Sequence, residues 1–255
     1  MPSGTPCACG AKKGGPCTLT SPINIGDEAK AAPEDLKEPF EFNGLEKMLC
    51  TEIRNDGEQI LLRICPKQSP VIIGGGLSHS EYIIDRIDFH WCSAHTINNE
   101  RFPLETHILM YCTEFSGIDE ALEKEGAAAL SILYEFSDVT SCGICKMLPF
   151  IPQISKCIDR PVPYCVVSLK DFLPQDKANF YRYTGSTTFP PFKEGVEWTV
   201  FKQKLPITRM DLGCFTNVCS RDGNLIVSNF RPVQPIPPGA EIYTVSDGKD
   251  CSCSK

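Results

Sequence analysis

Residues 86–109, R-I-D-F-H-W-C-S-A-H-T-I-N-N-E-R-F-P-L-E-T-H-I-L, concentrate the side chains able to do chemistry. Taken as a strand, the first part places Arg86, Asp88 and His90 on one face and Ile87, Phe89 and Trp91 on the other. In the second part Glu105, His107 and Leu109 share a face, while Thr106 and Ile108 point away. If the two strands pair as neighbours, Asp88, His90 and His107 converge. One carboxylate and two imidazoles form a zinc ligand set with a fourth position open. Four histidines occur in the chain, and two of them belong to this set. The same spacing also suits core histidines satisfied by hydrogen bonds, so spacing alone leaves both readings standing.

Such strands need a sheet to hold them. Short apolar stretches separated by turn residues recur at Glu41–Asn43, Met48–Ile53, Ile60–Ile64 and Val71–Ile73, with a hairpin signal at Asn55-Asp56-Gly57. This spacing, with few helical periods, predicts an extensive antiparallel sheet. Ala127–Tyr134 is a buried strand by its apolar run, and Trp198–Phe201 and Asn224–Val227 read as further strands. Short helices are expected at Ile118–Lys124, ended by Gly126, and at Val166–Leu173, stopped by Pro174. Val71–Gly76 lacks the third glycine of a dinucleotide fingerprint, since His79 stands in its place, and reads as a glycine turn. Cys142-Gly143-Ile144-Cys145 lacks a thioredoxin context and reads as loop thiols. Residues 1–19, with Cys7, Cys9 and Cys17 among Gly, Pro and Ser, read as a flexible tail, and 237–255 as a polar one.

The 255 residues fit one large domain, and 42% hydrophobic with 22% charged residues supplies an ordinary globular core. A net charge of −7 argues against nucleic acid or anionic membrane as the main partner. No apolar run reaches the length of a membrane span, and the start lacks a signal peptide's apolar region. Neither a lipidation signal nor an Asn-x-Ser/Thr acceptor occurs. With fifteen cysteines, an odd number, these features predict reduced thiols and a cytoplasmic protein.

Taken together, several segments resemble the α-type carbonic anhydrases: S-P-I-N-I at Ser21–Ile25, D-F-H-W at Asp88–Trp91, H-T at His95–Thr96 and E-T-H at Glu105–His107. The resemblance continues through Y-T-G-S-T-T-F-P-P at Tyr183–Pro191, E-W-T-V at Glu197–Val200 and N-F-R-P-V-Q-P at Asn229–Pro235. They stand in the family's order and approximate spacing over residues 20–236. The implied fold is a mainly β, α+β single domain: a large central twisted, mostly antiparallel sheet with short peripheral helices. The implied chemistry is a zinc-bound water made acidic enough for its hydroxide to attack CO2.

Within that resemblance His90 and His107 match the second and third zinc ligands, and Asp88 replaces the first, a histidine. Thr188 matches the threonine that orients zinc-bound hydroxide, but its glutamate partner is replaced by Ala94. Glu58 stands at the proton-shuttle histidine. Glu105 and Asn229 match residues that hold the two remaining histidines, and Arg86 stands where the family usually has a supporting glutamine. The CO2 pocket matches Leu109, Ala129, Thr187, Val196 and Trp198, with Phe189 beside the gate. Arg86 either pairs with Asp88 in competition with the metal or orients it as a ligand. One ligand, the orienting acid and the shuttle are thus altered together. The expectation is a carbonic-anhydrase-related protein: fold kept, zinc weak or absent, CO2 hydration weak or lost, and a binding role toward an unidentified protein partner. The alternative is an active zinc lyase, a carbonate dehydratase interconverting CO2 and bicarbonate through Asp88, His90 and His107.

Overall fold

A computed structural model describes residues 19–49, 51–164 and 166–246. Ten strands make its continuous sheet: β1 (Lys30–Ala31), β2 (Thr51–Asn55), β3 (Ile60–Ile64), β4 (Tyr82–Trp91), β5 (Leu104–Cys112), β6 (Ala127–Phe136), β7 (Val162–Tyr164), β8 (Phe180–Ser186), β9 (Glu194–Phe201) and β10 (Ile242–Val245). They lie in the order β7-β2-β3-β4-β5-β6-β9-β8-β10-β1, with Phe40–Asn43, Val71–Gly74 and Leu205–Ile207 attached off this path. Most neighbours are antiparallel, while β6/β9 and β10/β1 run parallel. Helices are few and short: α1 (Ile118–Glu123), α2 (Cys142–Met147), α3 (Ile151–Ile154) and α4 (Arg209–Thr216). This is the mainly β, α+β single domain expected. No helix among the described residues is long and apolar enough to cross a membrane.

Local chemistry explains the turns that set the register. At the β2–β3 hairpin, Asn55 Oδ1 accepts the Gly57 N–H at 2.8 Å, and Asp56 Oδ1 accepts those of Glu58 and Gln59 at 2.9 Å. These Asx contacts reverse the chain with φ +91° at Gly57. The glycine turn is as read: Gly74, Gly75 and Gly76 all have φ between +65° and +70°, and a Cβ on Gly75 would lie 2.3 Å from the Phe40 ring. Only glycine fits there.

The two faces of the sheet carry separate cores. Ile87, Phe89, Trp91 and Ile108 join one cluster, in which the Phe215 ring of α4 lies 6.0 Å from Phe89 and 5.8 Å from Trp91. Leu109, Ala129, Tyr183, Val196 and Trp198 join the other, under the functional face. Period-two alternation therefore sorts β4 and β5 as their sequences indicate.

Four elements differ from expectation. Cys142–Cys145 is not a loop but the start of α2, because Ile144 and Met147, three apart, share one buried helical face. Val166–Leu173 contains only a 3-10 turn, Leu169–Asp171, capped reciprocally by Ser168 and Asp171. Asn224–Val227 is an irregular segment with one bridge, Leu225 to Cys219; Leu225 and Val227 stand 54% and 75% exposed, so its alternating apolar residues find no sheet face. Ile242–Val245, within the stretch read as a polar tail, forms β10 because the β8 edge offers ladder partners for its β-branched run. Cys7, Cys9, Cys17, Cys251 and Cys253 lie outside the described residues.

Distant stretches of the chain meet beside β8. Ser21 N–H donates to Ser186 Oγ at 2.9 Å, and Ser186 N–H donates back to Ser21 Oγ at 3.1 Å. Arg231 Nη1 donates to the Ser21 carbonyl at 2.6 Å, and Gln234 N–H to that of Pro22 at 2.8 Å.

Candidate functional site

Strand pairing builds the site as rows running across the sheet. Arg86 lies opposite Leu109, followed by Ala129, Trp198 and Tyr183 on successive strands β6, β9 and β8. One row further, Asp88 lies opposite His107 and then Ser131; His90 lies opposite Glu105. The structure thus brings Asp88, His90 and His107 together at one end of β4 and β5, where they are 2%, 5% and 3% exposed. Leu109, Ala129, Val196, Trp198 and Thr187 form a buried wall beside them.

Both imidazoles are held by oxygens that only accept. His107 Nε2 donates to Glu105 Oε1 at 2.7 Å, which leaves the lone pair on Nδ1. The His90 Nδ1 edge faces the Asn229 carbonyl at 3.5 Å, while its Nε2 is buried without a hydrogen-bond partner. Asn229 itself is fixed by accepting the Trp91 N–H at 2.9 Å and donating to the Phe89 carbonyl at 3.0 Å. The two rings stand 4.4 Å apart. Burial first, then the neighbouring His107, pushes the His90 imidazole down to about 4, so it is neutral near pH 7. Two lone-pair nitrogens are prepared for a metal.

The third position is different. Arg86 Nε donates to both Asp88 oxygens at 3.0 Å, and the Arg86 guanidinium lies 4.3 Å over the Phe189 ring. Burial disfavours the Arg86 charge, but Asp88 outweighs that and raises its pKa further. The carboxylate is therefore engaged by a permanent cation. Among the described residues, the His/Cys/Asp/Glu groups whose donor atoms lie within 4.8 Å of one another are His95/Glu105/His107 and His79/Cys112/Glu114. Asp88/His90/His107 is not among them. As it stands, this donor set does not fit the zinc that the family's chemistry requires.

The remaining catalytic positions are weakly supported. Thr188 is half-buried, and its neighbour Thr187 spends its hydroxyl on the Phe189 carbonyl at 2.9 Å. Ala94 is buried and offers Thr188 no side-chain acceptor; its carbonyl receives Arg101 Nη1 at 3.3 Å. Glu58 is exposed on the β2–β3 turn.

Sequence reasoning missed His95 as a working residue. Its Nδ1 donates to Glu105 Oε1 at 2.6 Å, and its Nε2 accepts from the Tyr183 hydroxyl at 2.6 Å, which lies 2.9 Å from Ser21 Oγ. Glu105 Oε1 also accepts the Ser131 hydroxyl at 2.6 Å. Burial pushes the Glu105 carboxyl up, but His95 and His107 outweigh it and hold it well below the usual range. The one signal for His95 lay in the H-T pair, which carries no chemistry by itself.

Comparison with protein families matches residues 13–240 to eukaryotic-type carbonic anhydrase. Carbonic anhydrase 15 of Mus musculus is 29% identical over 88% of this chain and 74% of its own length. The carbonic anhydrase-related protein of Homo sapiens is 30% identical over 85% of this chain and 80% of its own. Receptor-type tyrosine-protein phosphatase zeta of Rattus norvegicus is 30% identical over 78% of this chain, and the matching stretch spans 9% of that relative.

Proposed function

This chain belongs to the eukaryotic-type carbonic anhydrase family, and from that premise we propose that it is a carbonic-anhydrase-related protein with weak or no CO2 hydration. The observation that carries this reading is the Arg86–Asp88 pair. A guanidinium supplies in situ the positive charge a metal would bring, and it occupies the only anionic member of the ligand set. Without a bound ion no acidic water is generated. Even with one, Thr188 would lack the carboxylate acceptor that fixes the direction of its hydroxyl.

The working role then passes to binding a protein partner. Leu225 and Val227, exposed and lining one pocket with Asn229, are apolar groups that such a partner would cover. A cytoplasmic setting belongs to the same reading and is supported by the free thiols of all eight described cysteines.

One observation favours the active zinc lyase as a second reading: the buried, partnerless His90 Nε2 beside an oriented His107. It requires Arg86 to leave Asp88. Stopped-flow CO2 hydration with added zinc decides between them. The expected result is a rate equal to that of buffer alone. Clear turnover, far above the buffer rate, that disappears in His107→Ala would establish the lyase and overturn the proposal.

A further inference from the structure

The opposite end of the same two strands carries a second group of donor atoms. Cys112, the last residue of β5, pairs with Tyr82, the first of β4. Three residues beyond Leu109, it faces the other core. His79, Cys112 and Glu114 bring one imidazole nitrogen, one thiol sulfur and one carboxylate oxygen within 4.8 Å of one another. His79 Nδ1 and Glu114 Oε2 are 4.0 Å apart, and Cys112 Sγ accepts the Glu114 N–H at 3.5 Å. His79 is the one histidine of the chain outside the site described above.

The surroundings hold this group as a built site. Arg182 Nη2 donates to the Gly75 carbonyl at 2.7 Å, fixing the turn that leads to His79. Glu197 accepts from Ser78 N–H at 3.0 Å and from the Ser78 hydroxyl at 2.8 Å, and also from the Tyr82 hydroxyl at 3.0 Å. The His79 N–H donates to that same Tyr82 oxygen at 3.3 Å. The imidazole sits edge-on to Tyr82 and Phe115, at 6.0 and 5.8 Å between centroids. A glycine turn, a buried arginine and a carboxylate thus hold the backbone that carries His79, and the Tyr82 and Phe115 rings flank its imidazole.

We propose that His79, Cys112 and Glu114 bind a borderline-soft divalent cation of the zinc class, with solvent in the fourth position. Sulfur, imidazole and carboxylate together select such ions over magnesium or calcium. Tetrahedral ligation at 2.0–2.3 Å spaces donors about 3.5 Å apart, so the three donors, 4.0 Å apart for His79 and Glu114 and within 4.8 Å of one another throughout, must each close by about an ångström or less. The Glu114 side chain is 67% exposed and free to move. On binding, the Cys112 S–H bond breaks, its proton goes to solvent and the thiolate electron pair forms the metal bond; nothing is oxidised. The ion ties the start of β4, the end of β5 and the His79 turn together.

The test uses Co2+ as probe on the metal-stripped full chain, reading the thiolate-to-cobalt charge-transfer absorption and its displacement by Zn2+. A sulfur band isolates this site from Asp88, His90 and His107, which have no sulfur. The expected result is one such ion per chain, bound at least tenfold more weakly in both His79→Ala and Cys112→Ser and unchanged in Cys142→Ser. Cys112 is fully buried; if its variant does not fold, His79→Ala decides alone, because His79 lies in a turn and is partly exposed. A parent without the band, or a band unaffected by His79→Ala, overturns the proposal.

Discussion

Replacing Arg86 by glutamine, the residue the family usually carries there, tests whether the guanidinium closes the old metal site. Asp88 is 3% exposed at its side chain and Arg86 14%, so the pair is shielded from solvent. Removing one partner of such a pair costs about 3–5 kcal/mol, since it strands a buried charge. Glutamine restores one donor, which returns about 1 kcal/mol and leaves a net loss of about 3 kcal/mol. For a domain of this size the melting temperature falls about 2–4 °C per kcal/mol, so the expected drop is about 6–12 °C. The variant should then become responsive to zinc. With Asp88 released beside His90 and His107, zinc at one hundred times its dissociation constant recovers about 2.7 kcal/mol, most of the loss. The assay is thermal unfolding with and without zinc, in a His79→Ala background so that the other proposed site does not contribute. Arg86→Gln should melt low without zinc and near its parent with it, while the parent does not respond. A variant that melts like its parent and ignores zinc would refute the closing role of Arg86.

Three further outcomes follow from the same structure. Arg86→Gln combined with Asp88→His and Ala94→Glu should hydrate CO2 measurably above the buffer rate in stopped flow; no gain would show that the site is misassigned. Gly75→Ala should lower stability by about 2–4 kcal/mol in urea unfolding, because it adds left-handed strain to an overlap with Phe40. Burial pushes the Asp171 carboxyl up, but its Lys146 pair and the Ser168 N–H outweigh that and hold it below the ordinary value. Its stabilising contribution is therefore complete above about pH 4 and fades as the pH falls further. Asp171→Asn should cost about 1 kcal/mol near pH 7 through the lost cap and flatten the acid limb of a melting-temperature profile.

How much of this was legible depended on how far each partner lay along the chain. The faces of Arg86–Trp91 and Glu105–Leu109 follow from period-two alternation, which the sheet preserves, so the shared face of Asp88, His90 and His107 is legible in the sequence. The pairing of Arg86 with Asp88 is not, because two side chains on one face can either meet or diverge toward a metal. His95 stayed hidden because its partners are 10 and 88 residues away and neither spacing forms a motif. Cys142–Cys145 reads as a loop because a six-residue helix shows only one apolar pair at helical spacing. Asn224–Val227 has strand composition but no free sheet edge, whereas Ile242–Val245 has one, and that difference lies in its neighbours rather than in its own residues.

The meeting of Ser21 and Ser186 with Arg231 and Gln234 bears on when the site comes into being. A chain made from its amino end presents β4 and β5, and with them Asp88, His90 and His107, well before Asn229 emerges. Yet His90 leans on the Asn229 carbonyl, and the Tyr183 hydroxyl that anchors His95 is braced by Ser21, itself held by Arg231. The order of synthesis is therefore not the order of completion. Until the last stretch arrives, His90 lacks its Asn229 contact and the β8 edge that β10 covers is open to other chains. An amino-terminal fragment ending before Asn229 would contain all three candidate ligands and still lack the site.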